Sequence, residues 1–348
     1  MGAVLVTGAA GFAAEHLIPV LKSKGFYVIG TDRQQEPSAL CDSFYQLDLN
    51  EEIGHVIPEE HDIDMVIHLA AARADWGVTD DEFYLDNFYA TQSLLGFVHA
   101  RQINKFLFVS SISVMPQGGT SQLNEQSPNE PINAYGKSKE MCENMLIEYA
   151  IENSSFCLNI VRPAVLYGPS NPLNTGIYRA TDNNIFRLID GIWKRRFAKV
   201  GSCETIKSTA YIKNFTAALL FLIPEKRGYD LFIYADQPPE TMATLIEQIQ
   251  NNLGEKRMIP RLPYNLARSL AVVFDILGAI TKINFPINSS RIETFTRDTN
   301  FSSNKLKNMG FEQPVATCDA IAETVCWYKS ILTDKSQNFF LIKKEREK

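Results

Sequence analysis

A tyrosine and a lysine four residues apart carry the clearest chemical signal in this chain of 348 residues. They are Tyr135 and Lys139, in the stretch AYGKSKE that begins at residue 134. Residues i and i+4 of a helix share a face, so the sequence predicts that the ammonium lies close to the phenol. A nearby cation lowers the pKa of a phenol from about 10 toward the range of a general acid/base. Tyrosine and lysine at this spacing are also common on protein surfaces, so the interpretation depends on the segments around them.

Length and composition set broad limits on the class of protein. A chain of this size suits one large domain or two lobes around a shared cleft. Its 45% hydrophobic and 21% charged residues are typical of a globular protein, and its net charge of −6 argues against a nucleic-acid partner. The six cysteines and five histidines form no CxxC pair and no metal-ligand spacing, so we expect no metal and reduced thiols in a cytoplasmic protein. The chain opens directly into a strand-like segment, which indicates no signal peptide.

Strand-like and helix-like segments alternate over the first ~165 residues, which predicts an α/β fold with a Rossmann-type, doubly wound parallel sheet. The predicted strands are Ala3–Thr7, Tyr27–Thr31, Phe44–Leu47, Met65–Leu69, Lys105–Ser110 and Cys157–Arg162. Later segments are less regular, with helical patterns at Asn184–Arg196, Thr241–Leu253 and Leu262–Thr281 and one strand at Tyr229–Tyr234. The predicted domains are a dinucleotide-binding domain at 1–168, a smaller interleaved α/β substrate lobe at 169–333 and a charged tail at 334–348. Residues near 208–236 are expected to return to the first domain.

A glycine-rich turn follows the first predicted strand. Gly8 permits a tight turn, and Gly11 lets the backbone approach a pyrophosphate at the N-terminus of the next helix. The third glycine position of such turns is held here by Ala14, which still permits close packing of helix on strand. The turn predicts a dinucleotide site that also includes Ala10 and Phe12.

An acidic residue ends the second predicted strand, where it selects between the two nicotinamide cofactors. The carboxylate of Asp32 can accept hydrogen bonds from a ribose 2′-hydroxyl and repel a 2′-phosphate, which favours NAD. Arg33 beside it leaves NADP as the alternative. Asp48 and Leu49, after the third strand, are candidate neighbours of the adenine, and a strand-end turn is the equally good alternative.

Hydroxyl side chains end the fifth predicted strand. Ligands of open α/β sheets lie beyond the carboxyl ends of the strands, so Ser110 and Ser111 are placed to meet a cofactor or a substrate alcohol. Serines at strand ends are also ordinary turn residues, and only their partnership with Tyr135 favours a catalytic role.

Six motifs in the same order resemble the extended short-chain dehydrogenase/reductase family, the group of sugar-nucleotide epimerases and dehydratases. Besides Asp32, the motifs are TGAAGF from 7, HLAA from 68, Asn87, Ser110-Ser111, YGKSK from 135 and RPAVLYGP from 162. The resemblance implies Tyr135, Lys139 and Ser111 as catalytic residues, with Ser110 or Ser113 as alternatives to Ser111 because Met115 replaces the usual tyrosine four residues on. It adds further cofactor contacts, namely Leu69, Ala70, Ala71, Asn87 and Pro163.

The C-terminal part is similar to a bacterial subgroup of that family. The similar stretches are LPYNLA from 262, FPINSSR from 285 and KSTAY from 207. The subgroup includes 4-epimerases of N-acetylglucosamine, among them one whose sugar is joined by pyrophosphate to undecaprenol. The resemblance implies substrate contacts from Asn171, Lys207 and one of Arg291 or Arg297, since cations suit a diphosphate. The chain departs from its relatives at Lys213-Asn214, where they usually carry two acidic residues.

The implied reaction is epimerisation at C4 of a sugar. Tyr135 would remove the proton of the hydroxyl as a hydride passes to NAD⁺, and the 4-keto sugar would then turn over and take the hydride back. Dehydratases of the family carry Asp-Glu after the site hydroxyl, where this chain has Ile112-Ser113, so dehydration is disfavoured. A 4-keto-sugar reductase, a hydroxysteroid dehydrogenase-like oxidoreductase and a non-catalytic dinucleotide-binding protein remain alternatives. The resemblance also implies a homodimer.

An apolar stripe recurs at helical spacing in the C-terminal part. Its members are Leu266, Leu270, Val273, Phe274, Leu277 and Ile280. The pattern predicts a helix packed on its own lobe, with contact to a membrane as the alternative if the substrate is lipid-linked. Arg268 and Asp275 interrupt the stretch, which therefore does not predict a membrane span. We expect a cytoplasmic protein, with a peripheral position at the inner face of the cell membrane as the alternative.

Overall fold

The computed structural model describes residues 2–34, 40–51, 53–72, 78–119, 121–170, 184–281 and 289–333. Its strands are β1 (Ala3–Thr7), β2 (Tyr27–Asp32), β3 (Ser43–Gln46), β4 (Ile63–His68), β5 (Lys105–Val109), β6 (Cys157–Pro163), β7 (Val165–Tyr167), β8 (Lys199–Val200), β9 (Ile206–Lys207), β10 (Thr209–Tyr211), β11 (Gly228–Tyr234), β12 (Glu240–Thr241) and β13 (Arg261–Leu262). Its α-helices are α1 (Phe12–Ser23), α2 (Asp80–Phe83), α3 (Ala90–Ala100), α4 (Ala134–Glu152), α5 (Asn184–Trp193), α6 (Ile212–Phe221), α7 (Met242–Leu253), α8 (Tyr264–Thr281), α9 (Ser289–Thr296), α10 (Asn304–Asn308) and α11 (Thr317–Thr333). Asn171 and the charged tail at 334–348 lie outside the described residues.

Seven parallel strands form the central sheet, in the order β11-β6-β5-β4-β1-β2-β3. The chain moves from β1 outward through β2 to β3 and then returns to the other side of β1 to form β4. The crossovers diverge at this reversal and leave a crevice beyond the carboxyl ends of β1 and β4, where open α/β sheets bind ligands. The predicted Rossmann-type fold is confirmed, and the predicted strands are present with ends that differ by at most two residues.

Two apolar cores cover the two faces of this sheet. One core contains the buried side chains of α1 and α6, and it continues into α5, α7 and α11. The other contains the buried side chains of α3 and the apolar face of α4. Strands buried on both faces explain the nearly continuous apolar runs in the sequence.

The chain re-enters the central sheet after it has begun the second lobe. The predicted strand at Tyr229–Tyr234 is present as β11, which pairs with β6 along its length. Three short pairs, β7–β10, β9–β12 and β8–β13, connect the remaining segments. The boundaries at residues 168 and 333 remain predictions.

Helix α8 corrects the prediction that its apolar stripe packs on its own lobe. The residues that it buries are small: Ala267 is 2% exposed and Ala271 is 0% exposed. Leu266, Leu270 and Val273 are exposed, and Phe274 is half-buried. The side chains of 276–280, which include the other two members of the stripe, lie outside the description. The predicted helix is present, but its large apolar side chains in the described part face outward.

Candidate active site

The turn between β1 and α1 requires glycine for two physical reasons. Gly8 has φ +69°, and a Cβ at this position would lie 2.7 Å from the amide nitrogen of Ala70. The amide of Gly11 donates to the carbonyl of Gly8 at 2.9 Å, which closes the turn. Helix α1 then begins at Phe12, so its first amides lie at the crevice beside β4. A helix N-terminus in this place suits the pyrophosphate of a dinucleotide.

The carboxylate of Asp32 is fixed beside this turn. One oxygen accepts from the amide of Ala10 at 3.1 Å and the other accepts from the amide of Gln34 at 3.0 Å. Burial raises the pKa of this carboxyl, and the two amides oppose that rise. The neighbouring Arg33 donates to Asp86 at 2.8 Å, which neutralises part of its charge. The pair weakens the attraction of Arg33 for a 2′-phosphate, so the local electrostatics favour NAD.

Two further segments border the crevice. Asp48 accepts from the amide and the side chain of Asn50 at 3.0 and 3.1 Å, as in an ordinary strand-end turn, and Leu49 is buried. After β4, the amide of Leu69 donates to the carbonyl of Thr7 at 3.3 Å, which holds this segment next to the glycine turn. Ala70 lies there too, and Ala71 after it is exposed.

Tyr135 lies in the first turn of α4, and this turn packs on the 3₁₀ turn 112–114 that Ser111 caps. Asn133 caps the helix, because its side chain accepts from the amide of Gly136 at 2.8 Å. A Cβ on Gly136 would lie 2.2 Å from the carbonyl oxygen of Ser113, so glycine permits this close approach. The phenol thus lies on the first turn of a helix of 19 residues, whose N-terminus carries partial positive charge.

The hydroxyls at the end of β5 differ in their surroundings. Ser111 caps the short 3₁₀ turn 112–114, where it accepts from the amide of Ser113 and donates to its hydroxyl, both at 3.1 Å. The hydroxyl of Ser110 is buried and has no hydrogen-bond partner within the described residues. Buried hydroxyls almost always have a partner, so Ser110 fits a polar group of a bound molecule. Together with the glycine turn and Asp32, this hydroxyl makes the crevice a fitting site for a dinucleotide.

Lys139 is buried beneath the site, where its exposure is only 2%. Its ammonium nitrogen lies 4.2 Å from the centre of the Phe108 ring on β5. Burial lowers the pKa of Lys139 to about 8, and the neighbouring Cys142 and Glu143 oppose this fall. Glu143 is itself held by Arg162 through hydrogen bonds of 2.9 and 2.5 Å. The amine therefore lies in a dry environment that disfavours its charged form. The aromatic face of Phe108 stabilises the cation.

A buried hydrogen-bonded chain begins at the glycine turn. Thr7 and Thr91 contact the two ring nitrogens of His68, at 2.6 Å to Nδ1 and 2.9 Å to Nε2. The hydroxyl of Thr91 donates its one proton to the carbonyl of Asn87 at 2.6 Å, so it must accept from Nε2–H of the imidazole. Nδ1 then accepts from Thr7. Burial and the charge of Lys139 lower the pKa of His68 well below its ordinary value, which keeps this tautomer neutral.

The hydrogen-bonded chain continues to α4 through Asn87. Its amide nitrogen donates to Ser138 at 2.9 Å, and its oxygen accepts from the amide of Ala72 at 2.7 Å. Ser138 donates to the carbonyl of Tyr135 at 2.8 Å. The sequence singled out Asn87 but not Ser138 or Thr91, whose only signal is a polar side chain at a buried helix position. This chain of hydrogen bonds links the glycine turn to the start of α4.

The candidate substrate cations are only partly brought together. Lys207 donates its ammonium to the carbonyl of Arg297, and burial lowers the pKa of Lys207 to about 8. Arg297 forms an ion pair with Glu293, and its side-chain stem packs against Gly118, seven residues after Ser111. Lys207 and Arg297 therefore lie together, joined to the segment that follows the site hydroxyl. Arg291 is in α9, where the description does not extend to its side chain.

Pro163 ends β6, the strand that pairs with both β5 and β11. It is buried, and the amide of Ala164 after it donates to the carbonyl of Tyr234 at 2.8 Å. The predicted cofactor contact at Pro163 thus lies at the same carboxyl edge of the sheet as Ser110.

Two curated proteins are similar to this chain over most of its length. The chain is 28% identical over 332 residues to N-acetyl-alpha-D-glucosaminyl-diphospho-ditrans,octacis-undecaprenol 4-epimerase of Escherichia coli O157:H7. The match covers 92% of this chain and 94% of that protein. It is 22% identical over 274 residues to a ketoreductase of Stigmatella aurantiaca that acts on 4-hydroxy-2-methyl-3-oxo-4-farnesyl-3,4-dihydroquinoline-1-oxide, covering 76% and 78% of the two chains.

Among solved structures, UDP-glucose 4-epimerase of Thermotoga maritima with UDP-glucose matches with a TM-score of 0.72 at 18% identity, over 95% of this chain and 99% of that one. The family model that matches spans residues 4–231, from β1 to β11, and therefore includes the glycine turn, Ser111, Tyr135 and Lys139. The chain belongs to the NAD dependent epimerase/dehydratase family.

Proposed function

We propose that the protein is an NAD-dependent sugar 4-epimerase that works through a transient 4-keto intermediate. The observation that carries this proposal is the placement of Tyr135 in the first turn of α4, above a buried Lys139 and against the Ser111 segment. The family membership and the similarity over almost the whole chain to a 4-epimerase support it.

Each catalytic residue has a distinct role in this proposal. Tyr135 takes the proton from the C4 hydroxyl of the sugar and later returns it to the keto oxygen. Ser111 holds that oxygen, and Lys139 stabilises the phenolate with its positive charge. NAD held in the crevice would supply the acceptor, and then the donor, of the hydride that C4 exchanges. Because the reaction is redox-neutral overall, one acid/base residue and one retained cofactor are sufficient.

The proposed cofactor site follows the crevice between β1 and β4. Gly8, Gly11 and Asp32 would hold the pyrophosphate and the adenosine ribose, and Ser110 and Asn87 would supply further cofactor contacts. The other proposed contacts are Ala10, Phe12, Arg33, Asp48, Leu49, Leu69, Ala70, Ala71, Pro163 and the catalytic Tyr135 and Lys139. NADP is the less suited cofactor, because the Asp32 carboxylate would face its 2′-phosphate.

The proposed substrate is a hexose or N-acetylhexosamine on a diphosphate carrier, either a nucleotide or a polyprenol. Asn171, Lys207 and one of Arg291 or Arg297 would supply the diphosphate contacts. The similarity to the undecaprenol-linked epimerase favours an N-acetylhexosamine and a role in the biosynthesis of surface polysaccharide such as lipopolysaccharide. A homodimer at the cytoplasmic side of the membrane completes the proposal.

The test is to identify what the purified protein carries and converts. We expect NAD to co-purify and to be released on denaturation, and UDP-N-acetylglucosamine or its polyprenyl-diphosphate counterpart to give the C4 epimer without added cofactor. The similarity to a ketoreductase makes a keto-sugar reductase the second candidate. Protein that holds no NAD, but oxidises NADH or NADPH with a 4-keto sugar, would identify the reductase instead.

A further inference from the structure

Helix α8 presents a surface that is unusual for a globular protein. In the part of the helix whose side chains the structure describes, small side chains face the protein and large apolar ones face outward, the reverse of an ordinary amphipathic helix. Leu266 is 49% exposed, Leu270 39% and Val273 52%. Spacings of four and three residues place the three on one side of the helix. Contiguous apolar surface of this kind marks a place where something else binds.

The chain just before α8 extends this surface and gives it charge. Met258 is 90% exposed, and Lys256, Arg257 and Arg261 around it are exposed cations. From Lys256 to residue 274 the sequence contains four cations and no carboxylate, in a chain whose net charge is −6. Exposed apolar side chains beside basic ones are the combination that attracts a helix to anionic lipid headgroups.

We propose that this surface, which we call the α8 face (Met258, Leu266, Leu270 and Val273 with the cations 256, 257 and 261), lies against an anionic phospholipid bilayer. Within the described ranges, no helix has the length and hydropathy needed to cross a membrane, so the contact is peripheral. The inference rests on the proposed function for its purpose, because docking at a bilayer brings the site to a sugar diphosphate whose lipid stays in the membrane.

A second copy of the chain fits the α8 face less well. A twofold dimer brings the same patch of each subunit together, so the three cations of one copy would face those of the other. A bilayer with anionic headgroups attracts these cations and accepts the apolar side chains at the same time.

The α8 face is also connected to the candidate substrate cations. Helix α9 packs on α8, and the amide of Ser289 at its start donates to the Asp275 carboxylate of α8 at 3.2 Å. The other end of α9 leads directly to Arg297, whose carbonyl accepts from Lys207. Docking of α8 would therefore place the diphosphate contacts near the membrane surface.

Sedimentation with vesicles tests the proposal on the full chain, without any sugar substrate. We expect the protein to bind vesicles that contain phosphatidylglycerol. Binding should be at least about tenfold weaker on vesicles of pure phosphatidylcholine, and it should weaken as salt is raised. Leu266→Glu should lower the partition coefficient by about tenfold or more. Its control is Ile151→Glu, at a position 68% exposed near the end of α4, which should bind as the unchanged protein does.

Two neighbouring valines make the test specific for one side of the helix. Val273 belongs to the α8 face, whereas the adjacent Val272, 46% exposed, points about 100° away. Val273→Glu should bind vesicles much more weakly than Val272→Glu does. Unchanged melting temperatures would show that both variants are folded. Equal binding of all variants, or no binding of the unchanged protein to anionic vesicles, overturns the proposal. A variant that instead dissociates a dimer would assign the face to a second copy.

The outcomes separate docking from catalysis. If the protein binds vesicles but converts no sugar diphosphate, the membrane contact of the α8 face is supported and the proposed epimerase activity is rejected. If both the α8 face and the epimerase are correct, the Leu266→Glu variant should convert a soluble nucleotide sugar at the normal rate. It should convert only a vesicle-embedded polyprenyl substrate more slowly.

Discussion

At the scale of single residues, the phenol of Tyr135 is the group on which turnover depends in the proposed mechanism. Tyr135→Phe removes the hydroxyl and keeps the ring, which packs with Phe83 at a centroid distance of 5.8 Å. Because general acid/base catalysis contributes about 10²- to 10⁴-fold, kcat should fall by at least about a hundredfold while NAD remains bound. Turnover and released NAD are measured on the same preparation. Near-normal turnover would remove Tyr135 from the mechanism.

The Phe108 ring gives a second prediction, on pH dependence. Lys139 is a cation below its pKa of about 8 and is neutral above it, so kcat/KM should fall as pH rises through about 8. The groups that face the amine are Cys142 and Glu143 on its own helix and the neutral His68 on β4. Phe108→Leu removes the cation–π contact, worth about 0.5–2 kcal/mol, so this alkaline limb should move about 0.4–1.5 pH units lower.

A matched control comes from the same face of β5. Phe106 is also fully buried and also contacts the His68 ring, at a centroid distance of 6.1 Å. Phe106→Leu therefore costs similar packing but leaves the ammonium of Lys139 on Phe108. We expect its pH profile to match that of the unchanged protein, and a parallel shift in both variants would assign the effect to packing alone.

At the scale of elements, the amide side chain of Asn214 joins α6 to the second lobe. Asn214 donates to Asp236 at 3.0 Å and to the carbonyl of Val315 at 2.8 Å, and it accepts from the amide of Val315 at 2.9 Å. Burial raises the pKa of Asp236 to about 6. A carboxylate at 214 would lack both donated bonds and would repel Asp236.

Asn214→Asp should therefore lower the free energy of unfolding by about 1–3 kcal/mol at pH 7. The loss should shrink as pH falls through about 6, because one of the two carboxyls then takes up a proton and can donate to the other. Denaturant unfolding at pH 7 and pH 5 measures this. Asn104→Asp, at an exposed position, serves as the control and should change stability by less than about 0.5 kcal/mol at either pH.

Local sequence patterns predict some of these elements and their contacts but not others. Apolar runs and the glycine turn predicted the sheet, because strands buried on both faces and a phosphate-binding turn impose local patterns. The chain from Thr7 through His68 to Thr91 joins residues 61 and 23 positions apart, and no local pattern reveals such contacts. In α8 the spacing predicted an apolar side but could not tell which side the protein covers. The close packing of Ala267 and Ala271 decided it.

At the scale of the whole molecule, the crevice lies at the reversal of the central sheet, so a dinucleotide held there as proposed would contact β1, β2, β4 and β5 together. A ligand that binds only the folded chain stabilises it by RT ln(1 + [L]/Kd), or about 2.7 kcal/mol at a hundredfold excess over Kd. Removal of NAD should therefore lower the melting temperature by a few degrees, and added NAD should restore it.

NADP should restore much less of this stability, because the fixed carboxylate of Asp32 meets its 2′-phosphate. Asp32→Asn keeps the shape and removes the charge, so the variant should lose most of the difference between the two cofactors in a thermal-shift titration. If NADP stabilised the unchanged protein as well as NAD does, the ion pair of Arg33 with Asp86 would have to open on binding, and Arg33 rather than Asp32 would select the cofactor.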